Sequence, residues 1–118
     1  MSILEHVMGA GNSPLSSGAI CGGGATGLVA TGTTSADALQ LNVVWNAITT
    51  SAGSTGVILP KASGGFVGIR NDSGQTITVY PGTGNTINAA SSSVTLATAT
   101  SMLCFKTSAT TWASITSA

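Results

Sequence analysis

The chain has 118 residues, of which only three are Lys or Arg and three Asp or Glu, and its formal net charge is zero. An ordinary soluble domain is about a quarter charged, so this balance excludes the basic footprint of a nucleic-acid binder and the polybasic patch of a membrane-surface protein. Ser, Thr, Asn, Gly and Ala stand where charges would, and a surface of that kind costs little to desolvate because no ion sheds its hydration shell; it points to a chain covered by copies of itself or by a larger assembly.

The length fits one domain that buries about two thirds of its unfolded surface. Aromatic residues make up 4% of the chain, so the core must rest on Val, Leu, Ile and Ala. No window approaches ~18 uninterrupted apolar residues, as a membrane helix requires. The start, Met1 to Gly9, lacks a positive n-region and a long apolar stretch, which argues against a secretory signal. Asn71-Asp72-Ser73 matches a glycosylation sequon, a match expected to be accidental if the chain is not exported.

Residues 1–27 are punctuated by Gly9, Gly11, Pro14, Gly18 and Gly22–Gly24, so an extended Gly-rich arm is expected, one that orders by lying on a neighbouring surface. Only Ser2–Met8 could form a turn or so of helix, too short to stand alone. From Leu28 to the end, residues 28–118, the pattern turns to period two. Across Ala38–Thr49 the residues Leu39, Leu41, Val43, Trp45 and Ala47 share one face, which predicts a long strand with that face inward. A helix over Ser35–Leu41 is the rival reading, disfavoured by the β-prone Val43-Val44-Trp45.

Further strands are expected at Gly56–Leu59, Phe66–Arg70, Gln75–Tyr80, Thr86–Asn88, Val94–Leu96, Ser101–Lys106 and Thr111–Ile115. Asn71-Asp72-Ser73-Gly74 suits a tight hairpin connection, and Ser108-Ala109-Thr110 turns between the last two strands. Short strands at this spacing argue for an all-β fold, an antiparallel β-sandwich or barrel of jelly-roll type. With no internal repeat, a β-solenoid is disfavoured. Ser101–Lys106 is apolar on both faces, with Met102 and Cys104 opposing Leu103 and Phe105. A strand of that kind in a small sheet implies a covered outer side.

Chemistry-bearing groups are sparse. His6 is the single histidine, and a Ser/His/acid relay would have to recruit the arm with Asp37 or Asp72 as orienter. Glu5, Asp37 and Asp72 are the only carboxylates for a glycosidase pair, and turn-solvating roles explain the two Asp residues better. Cys21 and Cys104 read as reduced thiols, Cys104 as a small core residue; no metal-ligating spacing occurs. Asn71 with Asp72 offers too few oxygens for a divalent cation. Trp45 and Trp112 read as core residues, though with Tyr80 they could make a sugar platform. The expectation is a non-enzyme without cofactor, catalytic residue or metal.

Gly56-Val57-Ile58-Leu59-Pro60, Phe66 to Asn71, Gln75-Thr76-Ile77-Thr78-Val79-Tyr80-Pro81, Gly84 to Asn88 and the closing Thr111-Trp112 form a pattern, preceded by Thr31 to Ala38. It resembles small β-rich structural proteins of tailed bacteriophages, including head decoration (cement) proteins, over roughly the last 90 residues of the chain. The resemblance implies a homotrimer on the capsid surface, assembled in the bacterial cytoplasm with the major capsid protein as partner, and no nucleic-acid or membrane partner. On that basis Ile3, Leu4, Val7, Met8, Leu15 and Ile20 in the arm, and Met102, Cys104 and Lys106 in the doubly apolar strand, are the candidate capsid or subunit contacts. A tail or fibre module and a carbohydrate-binding sandwich are the alternatives.

Overall fold

The computed structural model describes residues 23–60, 65–89 and 92–117. Every regular element among them is a strand: β1 (Gly24–Val29), β2 (Leu39–Gln40), β3 (Trp45–Thr50), β4 (Gly56–Ile58), β5 (Phe66–Asn71), β6 (Ile77–Tyr80), β7 (Thr86–Ile87), β8 (Val94–Leu96), β9 (Thr100–Ser108) and β10 (Thr111–Thr116). They form a six-stranded sheet in the order β1-β3-β5-β9-β10-β7 and a four-stranded sheet in the order β2-β4-β6-β8. Strand β1 crosses position 27, where the sequence suggests the arm ends.

Up to β8, each strand lies in the opposite sheet from the one before it. A chain that crosses over at every corner returns to its first sheet running in the same direction. The ladders β1–β3–β5 and β2–β4–β6 are therefore parallel. Leu39, Val57 and Val79 align in one sheet, as do Gly24, Trp45 and Gly68 in the other. One circuit takes roughly 20 residues, at the short end of solenoid periods. The circuit then closes differently: β8 is antiparallel to β6, β9 to β5, and β9–β10 is a hairpin whose second strand runs parallel to β7.

This all-β architecture corrects two expectations. The sheets are mixed rather than antiparallel, and a solenoid-like circuit is present without a sequence repeat. What recurs is the spacing of apolar residues and corners, which need no repeated residue identity.

Both sheets turn alternate residues into one core. Ile48, Val67, Ile69, Met102, Cys104, Ile87 and Trp112 come from the six-stranded sheet, and Val57, Ile77, Val79 and Leu96 from the other, with Ala30, Leu41 and Leu59 at its margins. Trp112 is fully buried, as the sequence predicts. Trp45 is not: it is 47% exposed. The continuous strand expected over Ala38–Thr49 is broken at residues 41–44, where the chain leaves one sheet for the other. That corner reverses the parity. Leu41 is inward before it, while Asn46 and Ile48 are inward after it and Trp45 turns out. Asn46 is buried with its Nδ2 donating to the carbonyls of Val43 and Gly68, which offsets part of the cost of burial, while its Oδ1 has no hydrogen-bond partner.

A second buried asparagine holds the corner between β5 and β6. Asn71 Nδ2 donates to Gln75 O at 2.7 Å and Leu96 O at 2.9 Å, while Oδ1 accepts from Ser73 N and Ser73 Oγ. The expected Asn71–Gly74 hairpin is thus a corner between sheets, not a reversal within one.

Candidate interaction surface

The outer face of the six-stranded sheet carries the side chains that parity excludes from the core. Ile115, Leu103, Gly68, Trp45 and Gly24 are in register across β10, β9, β5, β3 and β1. Beside this row, Ala113, Phe105 and Phe66 form a second one. Gly68 is what lets Trp45 lie flat on the sheet: a Cβ there would run into the indole carbons Cε3 and Cζ3. The Trp45 ring meets Phe66 with centroids 5.6 Å apart at a tilt of 54°, a favourable aromatic geometry.

Ile115 is 62% exposed, Phe66 45% and Leu103 36%. Trp45, Leu103 and Ile115 line a groove of about 760 Å³ across the sheet, and Phe66 stands beside it against Trp45. Arg70 is the one charged residue that lines it among the described residues. Its Nε already donates to Asp72 Oδ1 at 2.9 Å and its Nη1 to Ser101 Oγ at 3.3 Å. An occupant of this groove therefore meets apolar surface beside an internally neutralised ion pair.

Of the contacts expected from the sequence, Ile3, Leu4, Val7, Met8, Leu15 and Ile20 lie outside the described residues, as do His6, Glu5 and Cys21. Met102 and Cys104 turn into the core, 3% and 0% exposed, and Met102 is also among the residues that line the groove. Their neighbours Leu103 and Phe105 point outward instead. Lys106 is half-buried, its Nζ 5.3 Å from the Trp112 ring centroid and donating to Ala109 O. The exposed quartet of Trp45, Phe66, Leu103 and Ile115 was not singled out as a site from the sequence. The doubly apolar strand was the available signal, and of its two faces the structure turns that of Met102 and Cys104 inward and that of Leu103 outward.

The remaining polar groups serve local structure. Asp37 Oδ1 accepts from Thr33 N, Thr34 N and Thr34 Oγ1. Those bonds, that from the Thr34 backbone above all, hold its carboxyl below the usual value. Burial pushes the Cys104 thiol up to about 12, which makes it an inert core group. Tyr80 belongs to the four-stranded sheet, and its hydroxyl donates to Thr33 O. Trp45 lies on the outside of the opposite sheet and Trp112 in the core, so the three do not form a common sugar platform. Among the described residues, no three His, Cys, Asp or Glu side chains gather as metal ligands, and no helix is long and apolar enough to cross a membrane.

No protein family, curated protein or solved structure matches the chain.

Proposed function

We propose that the protein is a structural virion component, a trimer that binds the outside of a tailed-phage capsid and stabilises the shell. The observation that carries this reading is the scarcity of charge. Among the described residues the ionic side chains are Asp37, Arg70, Asp72 and Lys106, and two of them neutralise each other. The rest of the exposed surface is largely Ser, Thr, Asn, Gly and Ala, together with outward-facing apolar residues. Such a surface can be covered with little loss of ion hydration.

The resemblance of Gly56–Trp112 to phage decoration proteins supports the same reading and supplies the virion setting. In this reading the two sheets form a flattened sandwich seated on coat subunits. A trimer that holds several subunits through weak uncharged contacts gains avidity without one strong bond. Because it binds only the assembled shell, it stabilises that shell by mass action.

The test is gold labelling of intact virions with antibody to the chain, paired with light scattering on the purified protein. Labelled heads and a trimeric mass are the expected results. Labelled tails would transfer the protein to a tail module. A single copy at high concentration that does not attach to emptied heads would end the proposal.

A further inference from the structure

The large apolar side chains left exposed are gathered on one face. Trp45, Phe66, Leu103 and Ile115 all stand on the outside of the six-stranded sheet. Val29, at the end of edge strand β1 of the same sheet, is the other one among the described residues. The four-stranded sheet presents different chemistry. Its outward rows are Gln40, Ile58 and Tyr80, then Gly56, Thr78 and Thr95, and Ile58 is only 8% exposed. Contiguous exposed apolar surface marks a contact site. We infer that the outer face of the six-stranded sheet is where copies of this chain meet, each copy's face covered by that of a second. This gives the trimer proposed above its contact surface, and it rests on that reading only for the number of copies.

Electrostatics selects the occupant. Arg70, the one charged residue lining the groove among the described residues, is held by Asp72 at 2.9 Å. A polyanion or a polycation would find no unmatched charge along the groove. A second copy brings an equally apolar face whose ion pair is also closed, so no like charges are forced together.

Shape and size agree. Trp45 lies flat over Gly68, which keeps the middle of the face low and lets two sheets approach to the ~10 Å of face-to-face packing. The five strands β1, β3, β5, β9 and β10, at ~4.8 Å spacing and about six residues of ~3.3 Å each, give a face of roughly 500 Å². Two such faces bury about 1,000 Å², the size at which a specific contact begins. A contact of that size should separate on dilution.

The test is light scattering on the full chain over a dilution series, with hydroxyl-radical footprinting of the same samples. The parent should associate. Trp45 and Phe66 should lose their protection from oxidation as dilution separates the copies, while fully buried Trp112 stays unreacted. Ile115→Glu and Leu103→Glu put a charge into the contact and should raise the dissociation concentration more than about tenfold. Thr95→Glu, on the outside of the opposite sheet, should leave it unchanged. A parent that stays a single copy at high concentration would overturn the inference, as would association that both groove variants leave intact. So would protection of Trp45 and Phe66 that persists in separated copies, because their cover then comes from within the chain. The footprint is read on the parent, so a variant that fails to fold leaves the test standing. Association through this face by a chain that antibody does not find on virions keeps the inference and ends the virion proposal. A single copy that labels heads does the reverse.

Discussion

Asn71 is fully buried and holds the β5–β6 corner through both ends of its amide. Replacing it with alanine strands the Leu96 carbonyl on that side and the Ser73 N–H; Gln75 O keeps a bond from Ser73 Oγ. A buried group left without a partner costs about 1–3 kcal/mol, and the part-buried Ser73 N–H adds less than the buried Leu96 carbonyl, so a loss of about 2–4 kcal/mol is expected for Asn71→Ala. That is a large part of the roughly 6–18 kcal/mol available to a chain of this length. Urea slopes of about 1–3 kcal/mol per molar convert the loss to a midpoint drop of about 0.7–4 M. The fluorescence of buried Trp112 is a suitable signal. Asn71→Asp sharpens the test, because an ionised carboxylate would face the carbonyls of Gln75 and Leu96. Burial and those carbonyls raise its folded-state pKa above the ~3.9 of the unfolded chain. The stabilising contribution of the protonated form is thus present below that value and lost as pH rises through the folded pKa. Compared with the parent at the same pH, Asn71→Asp should be weakest at neutrality and recover on acidification. An Asn71→Ala midpoint within about 0.3 M of the parent, or an Asn71→Asp deficit that does not change with pH, would refute the corner's role.

Trp112→Ala should cost about 3–5 kcal/mol in thermal unfolding as a fully buried ring, whereas half-exposed Trp45→Ala should cost only about 1–2 kcal/mol; equal losses would contradict the assigned parity. Cys104 should resist thiol reagents in the native protein and react only on unfolding, as followed by peptide mass mapping. Its raised pKa means that the stability associated with the protonated thiol is intact below about 9 and falls as pH climbs toward about 12; modification at the rate of a free thiol would refute its burial. Asp37 should titrate below 3.8 by carboxyl NMR, and Thr34→Val should raise that midpoint by removing the hydroxyl donor. Since its folded pKa is depressed, the associated stabilisation holds above the ordinary value and is lost as pH falls through the folded one; a midpoint at or above 3.8 would refute the bonding.

Strand positions were legible because period two and turn residues are local signals. Gly56–Ile58, Val94–Leu96 and the β9–β10 hairpin around Ser108-Ala109-Thr110 lie where alternation and turn chemistry put them. Destination was not legible. A Gly, Asp or Asn turn states that the chain changes direction, but not whether the next strand pairs with its predecessor or crosses to the other sheet. Asn71-Asp72-Ser73-Gly74 has hairpin composition, yet it makes a corner because the Asn71 side chain finds Leu96 on the opposite sheet. Strand β1 was missed because Gly24, Ala25, Thr26 and Gly27 have little apolar alternation; it forms by pairing with β3.

The candidate site was legible only as a requirement. Scarce charge and a strand apolar on both faces are the sequence signals for a covered surface, since both are properties of composition and of a short window. Which surface it is depends on parity, and here parity turns on the four residues 41–44 between the sheets. Had the chain continued straight from Leu41, Trp45 would have entered the core and Asn46 would have faced solvent. Asn46 makes the alternative tenable by meeting the Val43 and Gly68 carbonyls from inside. Gly68 then completes it from outside by leaving room for the indole. An asparagine in the core and a glycine under a tryptophan are each unremarkable in sequence. Only their cross-strand register, Asn46 beside Ile69 and Trp45 beside Gly68, joins them into the device that turns an apolar face outward.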